Sequence, residues 1–219
     1  MLASLFPLVC PGCGRPGEPL CLSCEAGLRA APLSAPPSGV DRWAAAFAYD
    51  GVARELVARV KYRNVRAVVP WLADAMCEAL VADMPPAHIP PVQQVLDVTT
   101  VTWAPTTPQR RRDRGFDPAE LLARHVARRL ALPCSALVGR LPGPPQTGLA
   151  ANARRVGPRF EPVRSRAAAR RTFGATVLVV DDVTTTGATL TAAAFALRAA
   201  GARGVVALTA ARTPPPRRG

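Results

Sequence analysis

Hydrophobic and polar positions divide the chain into segments of two kinds. Short, unbroken apolar runs alternate with longer stretches in which apolar residues recur every three to four positions. WAAAFAY, from Trp43 to Tyr49, reads as a strand, and Asp50-Gly51 as a turn. From Val52 to Tyr62 the apolar positions Val52, Leu56, Val57 and Val60 fall on one helical face. A second helix is expected over Val65 to Met84, with Pro70 as a kink or as its true start and Pro85-Pro86 as its stop. Val92 to Pro105 reads as a strand emptying into a loop, TTPQRRRDRGF, that carries Arg110, Arg111, Arg112 and Arg114. Asp117 and Pro118 then supply the N-cap and first position of a helix running from Ala119 to Leu130. The segment after Pro133 is rich in Arg, Pro and Gly, and is expected to be extended with a mobile loop folded over a site. Val177 to Val180 is a four-residue apolar run, the pattern of a strand buried on both faces. An Ala-rich helix follows it, Gly201 ends that helix, Val205 to Thr209 form a last strand, and TPPPRRG is a tail. Strands alternating with helices indicate an α/β domain with a mostly parallel sheet, in which ligands sit beyond the C-terminal strand ends.

The chemistry gathers at one such end. Asp181 and Asp182 follow the apolar run, and Thr184, Thr185, Thr186 and Gly187 lead into the next helix through Ala188 and Thr189. A helix start offers unpaired N–H groups and a positive dipole to a phosphate. Adjacent carboxylates accept hydrogen bonds from sugar hydroxyls or face a divalent cation. The pattern GxxxxGK[ST] does not occur, and no GxGxxG follows a strand, which argues against a P-loop and a dinucleotide fingerprint.

Composition sharpens this picture at two points. The net charge is +13, which attracts polyanions, yet of 28 basic residues Lys61 is the only lysine. Lys61 is therefore either an ammonium demanded by a ligand or a solvated cation at a helix end. Cys10, Cys13, Cys21 and Cys24 form two CxxC pairs separated by seven residues. In a chain with the look of a cytoplasmic protein this reads as a tetrahedral zinc site, with disulfides as the alternative. Cys77 and Cys134 stand alone and are expected to be buried fillers. No apolar run approaches the ~20 residues of a membrane span, and the first residues lack the basic n-region of a signal peptide. The expected organisation is a zinc knuckle over 1–28, a linker over 29–42, the α/β domain over 43–213 and a tail over 214–219.

The stretch Val179-Val180-Asp181-Asp182-Val183-Thr184-Thr185-Thr186-Gly187-Ala188-Thr189 resembles the phosphoribosyl pyrophosphate (PRPP) signature of type I phosphoribosyltransferases. The four N-terminal cysteines, Val60-Lys61-Tyr62, Arg114-Gly115-Phe116, and Gln146 with Arg154 and Phe160 are similar to the ComF family within that group. Two places differ: Asp117-Pro118 stands where ComF sequences often carry Asn-Gln, and Trp103-Ala104-Pro105 where they carry Pro-Val-Pro. The resemblance implies a type I phosphoribosyltransferase fold with a small zinc-ribbon-like module built on the four cysteines. It also implies roles for residues. Asp181 and Asp182 would hold the ribose hydroxyls, directly or through Mg²⁺. The 185–189 turn (Thr185, Thr186, Gly187, Ala188 and Thr189) would hold the 5′-phosphate, Thr184 would also belong to the PRPP site, and Lys61 and Arg114 would hold the pyrophosphate. The implied activity is Mg²⁺-dependent transfer of ribose 5-phosphate to a nitrogen acceptor. The alternative it implies is an accessory protein of DNA uptake and natural transformation that binds single-stranded DNA, a role that the arginines between Arg154 and Arg171 would suit.

Overall fold

In the computed structural model, residues 9–16, 20–63, 65–82, 97–142 and 157–214 are described. Helix α1 (Leu22–Ala26) lies within the cysteine knuckle, and strand β1 (Arg42–Ala48) opens the α/β domain. Helix α2 (Gly51–Arg63), a 3₁₀ turn (Arg66–Val68) and α3 (Val69–Ala79) follow. Pro70 is thus the start of α3 rather than a kink: its missing N–H costs nothing in the first turn. Next come β2 (Val98–Trp103), α4 (Pro108–Arg114), α5 (Pro118–Arg129), β3 (Val138–Arg140), β4 (Phe160–Pro162) and α6 (Arg166–Thr172). Strand β5 (Thr176–Thr184), α7 (Ala188–Ala199) and β6 (Gly204–Arg212) complete the domain.

The sheet order is β1-β6-β5-β2, and each pairing is parallel. Strand β5 is internal, and Val177, Leu178, Val179 and Val180 are each fully buried. Alternate side chains serve opposite layers. Leu178 and Val180 join Leu56 of α2, Leu72 and Met76 of α3, and Leu122 and Val126 of α5. Val177 and Val179 join Leu190, Ala193, Ala194 and Leu197 of α7. The continuous apolar run is therefore the direct consequence of helices on both faces.

Two segments expected to be irregular carry structure. The arginine loop contains α4, because Thr107 accepts a hydrogen bond from the Arg110 N–H, Pro108 occupies the first turn, and Gly115 closes the helix at φ 75°. Beyond Pro133, β3 and β4 pair as a small antiparallel ribbon, and α6 starts at Ser165, whose hydroxyl accepts from the Ala168 N–H. A local Thr or Ser cap starts each of these helices, and their arginines are good helix formers that continue them. Residues 143–156, with Gln146 and Arg154, lie outside the described residues, as do 92–96 and His88.

The stretch expected as a linker is stitched to the sheet. The Ala31 N–H donates to the Ala46 carbonyl, Ala48 donates to the Arg29 carbonyl, and the Trp43 indole donates to Ser34. Asp41 accepts from the Val205 N–H and pairs with Arg198 at 2.6 Å. The two backbone bonds to Ala46 and Ala48 cover part of the edge that β1 would otherwise present to solvent. Among the described residues no helix is long and apolar enough to cross a membrane.

Leu197 fills the space between α7 and the sheet and is fully buried. Leu197→Ala is expected to lower stability by about 3 kcal/mol, read from the midpoint of urea unfolding with an unchanged slope.

Candidate functional site

Beyond the ends of β2 and β5 lies a cavity of about 240 Å³ walled by charged side chains. From β5 come Asp181 and Asp182, and from the last turn of α2 comes Lys61. The Lys61 ammonium lies 2.7 Å from Asp182 Oδ1, and both side chains are largely withdrawn from solvent. Lys61 is therefore not a solvated helix-end cation. Asp181 is buried, and its Oδ1 accepts from the Asp182 N–H at 2.8 Å. Burial pushes the Asp181 carboxyl well above the usual carboxylate range, and the negative charge of Asp182 adds to this, while Lys61 opposes it.

The β2 side of the cavity is held by a third acid. Asp117 accepts from the Thr106 N–H at 2.8 Å and from the Ala119 N–H at 3.0 Å. One buried carboxylate thus caps α5 and fixes the 104–107 loop. Burial raises its pKa, the three backbone N–H groups around it lower it, and Asp182 raises it further.

Arginines close the rest. Arg110 and Arg114 of α4 and Arg140 of β3 border the cavity. Burial lowers the Arg140 pKa, as does Arg110, against the attraction of Asp181 and Asp117. The Arg114 guanidinium lies 5.0 Å over the Tyr62 ring. An adjoining hollow of about 410 Å³ shares Lys61, Tyr62, Arg110 and Arg114 and adds Asp113 and Phe116.

The phosphate-like turn sits at the β5–α7 junction. Thr184 is buried and its carbonyl accepts from the Thr213 N–H, whereas Thr185 and Thr186 face solvent. Gly187 stands at φ 79° as the N-cap of α7 with no side chain to occupy the helix start. A Cβ there would lie 3.0 Å from Pro37, which packs against the turn. Thr189 borders the cavity, and the Thr186 hydroxyl accepts from the Ala188 N–H.

Residues 118–217 match the model of the phosphoribosyl transferase domain. The fold is of the phosphoribosyltransferase type. The match takes in β5, the acid pair, the threonine turn and α7. No curated protein matches the chain. Among solved structures, one titled as the allosteric regulatory enzyme of purine biosynthesis shows 17% identity and a TM-score of 0.41 over 70% of this chain and 30% of that one. The chain thus spans less than a third of that enzyme's length. TT1426 from Thermus thermophilus shows 18% identity and a TM-score of 0.32 over 70% of this chain and 85% of its own.

The structure gathers Lys61, Arg114, Asp181, Asp182 and Thr189 around one cavity, whereas Thr184 to Ala188 form the turn that leads to Thr189 and do not themselves line it. Arg110, Arg140, Asp117 and Thr106 border it too and were not singled out from the sequence as ligand contacts. Asp117 was legible only as a helix cap, and Arg140 stands in a segment without periodicity.

The four cysteines of the knuckle also converge. Their sulfurs lie within 4.8 Å of one another, and Cys13 Sγ is 3.7 Å from Cys21 Sγ. Tetrahedral Zn–S bonds of about 2.3 Å place sulfurs roughly 3.8 Å apart, so the cluster fits zinc. Burial opposes the Cys10 thiolate, but N–H groups of Cys21, Cys13 and Gly12 outweigh it and lower the Cys10 pKa to about 6. Cys77 is buried and its thiol is pushed up to about 12, the behaviour of a filler.

Two outcomes follow from these environments. Because the folded protein holds the Asp181 proton more tightly than the unfolded chain, stability falls as pH rises above the ordinary carboxylate value of about 4. Asp181→Asn is expected to raise Tm by roughly 2–4 °C at pH 7, about 1 kcal/mol, with the gain shrinking towards pH 4 in thermal melts. Metal analysis is expected to find about one zinc per chain, and stripping it with a chelator to lower Tm, since Cys10 and Cys24 belong to the core cluster that contains α2.

Proposed function

We propose that the protein binds PRPP and transfers its ribose 5-phosphate to a nitrogen nucleophile. The observation that carries this reading is one cavity shared by the acid pair of β5, by Thr189 at the start of α7, and by the cations Lys61, Arg110, Arg114 and Arg140. A phosphate at one end, a diol in the middle and a pyrophosphate at the other end require that set of groups. The turn hydroxyls of Thr185, Thr186 and Thr189, with the first N–H groups of α7, would take the 5′-phosphate. Asp181 and Asp182 would accept from the ribose 2′- and 3′-hydroxyls. Lys61 and Arg114 would face the pyrophosphate, with Arg110 and Arg140 beside them. Charge-assisted hydrogen bonds contribute roughly 1.5–3 kcal/mol each, so three or four suffice to hold the sugar phosphate.

Hard oxygen donors from Asp181 and Asp182 suit Mg²⁺. These two residues would hold the ion, which when bound neutralises charge on the leaving group. In the reaction the bond from C1 to the pyrophosphate oxygen breaks, the electron pair leaves with pyrophosphate, and a C–N bond forms as the acceptor nitrogen loses a proton. Fixed cations near the departing oxygens stabilise the charge that develops there.

The finer assignment is to the ComF family. It draws support from the clustered thiolate knuckle, which also suits a reducing, cytoplasmic setting, and from Lys61 placed on Asp182. A second reading, binding of single-stranded DNA in DNA uptake, draws support from Arg164 ahead of α6 and Arg166, Arg170 and Arg171 within it, all exposed.

Calorimetric titration with PRPP and Mg²⁺ tests the proposal. The wild type is expected to bind in the micromolar range, with binding lost in the Asp181→Ala/Asp182→Ala protein. Absence of PRPP binding alongside salt-dependent binding of an oligonucleotide would replace this reading with the second.

A further inference from the structure

We propose that Lys61 is the resident counterion of Asp182, competing with divalent cations for that carboxylate until a polyanionic sugar phosphate draws the ammonium away. The inference rests on the reading of the acid pair as a cation and sugar site, and it concerns the order in which that site is filled.

The contact itself is the first argument. Lys61 Nζ lies 2.7 Å from Asp182 Oδ1, with side-chain exposures of 17% and 16%. Two like-charged acids adjacent in sequence, with Asp117 close enough to act on both, need a positive charge nearby. In this arrangement Lys61 meets that need. A divalent cation approaching Asp182 must displace a withdrawn ammonium at hydrogen-bond distance, and the repulsion between the two cations weakens its binding.

Residue type is the second argument. Every other basic residue is an arginine. A guanidinium prefers a fixed, forked pairing with a carboxylate, whereas an ammonium is a point charge on a flexible four-carbon stem. Exchange between two anionic partners suits the second.

Position is the third. Lys61 borders both the acid-lined cavity and the adjoining hollow, where Arg110 and Arg114 supply further positive charge. A polyanion entering between them offers Lys61 a new partner through side-chain rotation alone, with α2 in place. Asp182 is then released to the cation that arrives with the ligand. Sugar phosphate and metal therefore enter together, and the metal alone is held weakly.

The test uses Mn²⁺ alone, without sugar phosphate, followed by electron paramagnetic resonance on the full zinc-loaded chain. Lys61→Met is expected to bind Mn²⁺ at least about tenfold more tightly than the wild type. Lys61→Arg stays near the wild type, and adding Asp182→Asn to Lys61→Met removes the gain. Equal Mn²⁺ affinity in Lys61→Met and wild type overturns the proposal. A measurement on the wild type needs no variant to fold. Because Lys61 is the only lysine, its acetylation is read directly by mass spectrometry. Saturating Mn²⁺ is expected to raise the Lys61 labelling rate several-fold, and a rate unchanged across the titration also overturns the proposal. Neither experiment contains PRPP, so a failure here is distinct from a failure of PRPP binding.

Discussion

Placing one buried and one half-buried carboxylate at the end of a strand that is itself buried on both faces is the constraint to which the surrounding structure answers. Asp181 and Asp182 stand where β5 leaves the core, and the low polarity that makes Val177 to Val180 stabilising makes the acids costly. Burial acts on Asp181 first and the charge of Asp182 second. The surroundings offset this with cations from three elements: Lys61 of α2, Arg110 and Arg114 of α4, and Arg140 of β3. The site is thus a place of stored electrostatic cost, the usual condition of a pocket shaped for a charged ligand.

The scaffold converts that local problem into a defined geometry. Asp117 carries two duties with one carboxylate, capping α5 and holding the Thr106 N–H, so that the β2 loop cannot move without disturbing a helix start. On the other side Pro37, from the chain segment that leads out of the cysteine knuckle, packs on Gly187. The same segment hydrogen-bonds along β1 and is tied to β6 through Asp41 and Arg198. Packing Cys10 and Cys24 into the core cluster that holds α2 connects the knuckle to the helix whose last turn carries Lys61.

Fold class was legible because it follows from period and burial. A run such as VLVV is stable only between two layers, and helices with one apolar face supply those layers. Asp117-Pro118 announced the start of α5 by cap chemistry, and the Cys spacing announced a cluster, which the convergence of four sulfurs bears out. Less legible were α4 and α6. Their sequences, PQRRRDR and RAAARRT, are too short for a periodic signal, and their starts depend on a single Thr or Ser cap. The run of residues 30–34 reads as linker by its prolines, yet lies on the edge of β1 because its carbonyls and N–H groups find partners there.

By itself the sequence determined which elements form and where the acids, threonines and thiols stand along them, because propensity, capping and period act within a few residues of one another. Only the tertiary structure decided what faces them. Lys61 and Asp182 are separated by most of the chain, and no local rule joins them. Their contact exists because α2 packs on the same face of the sheet as the even-numbered side chains of β5, which carries the helix end to the strand end. Arg140 reaches the cavity for the same kind of reason: a three-residue strand with no signal of its own is placed there by its antiparallel partner. Long-range packing chose the counterions, and with them the charge of the site.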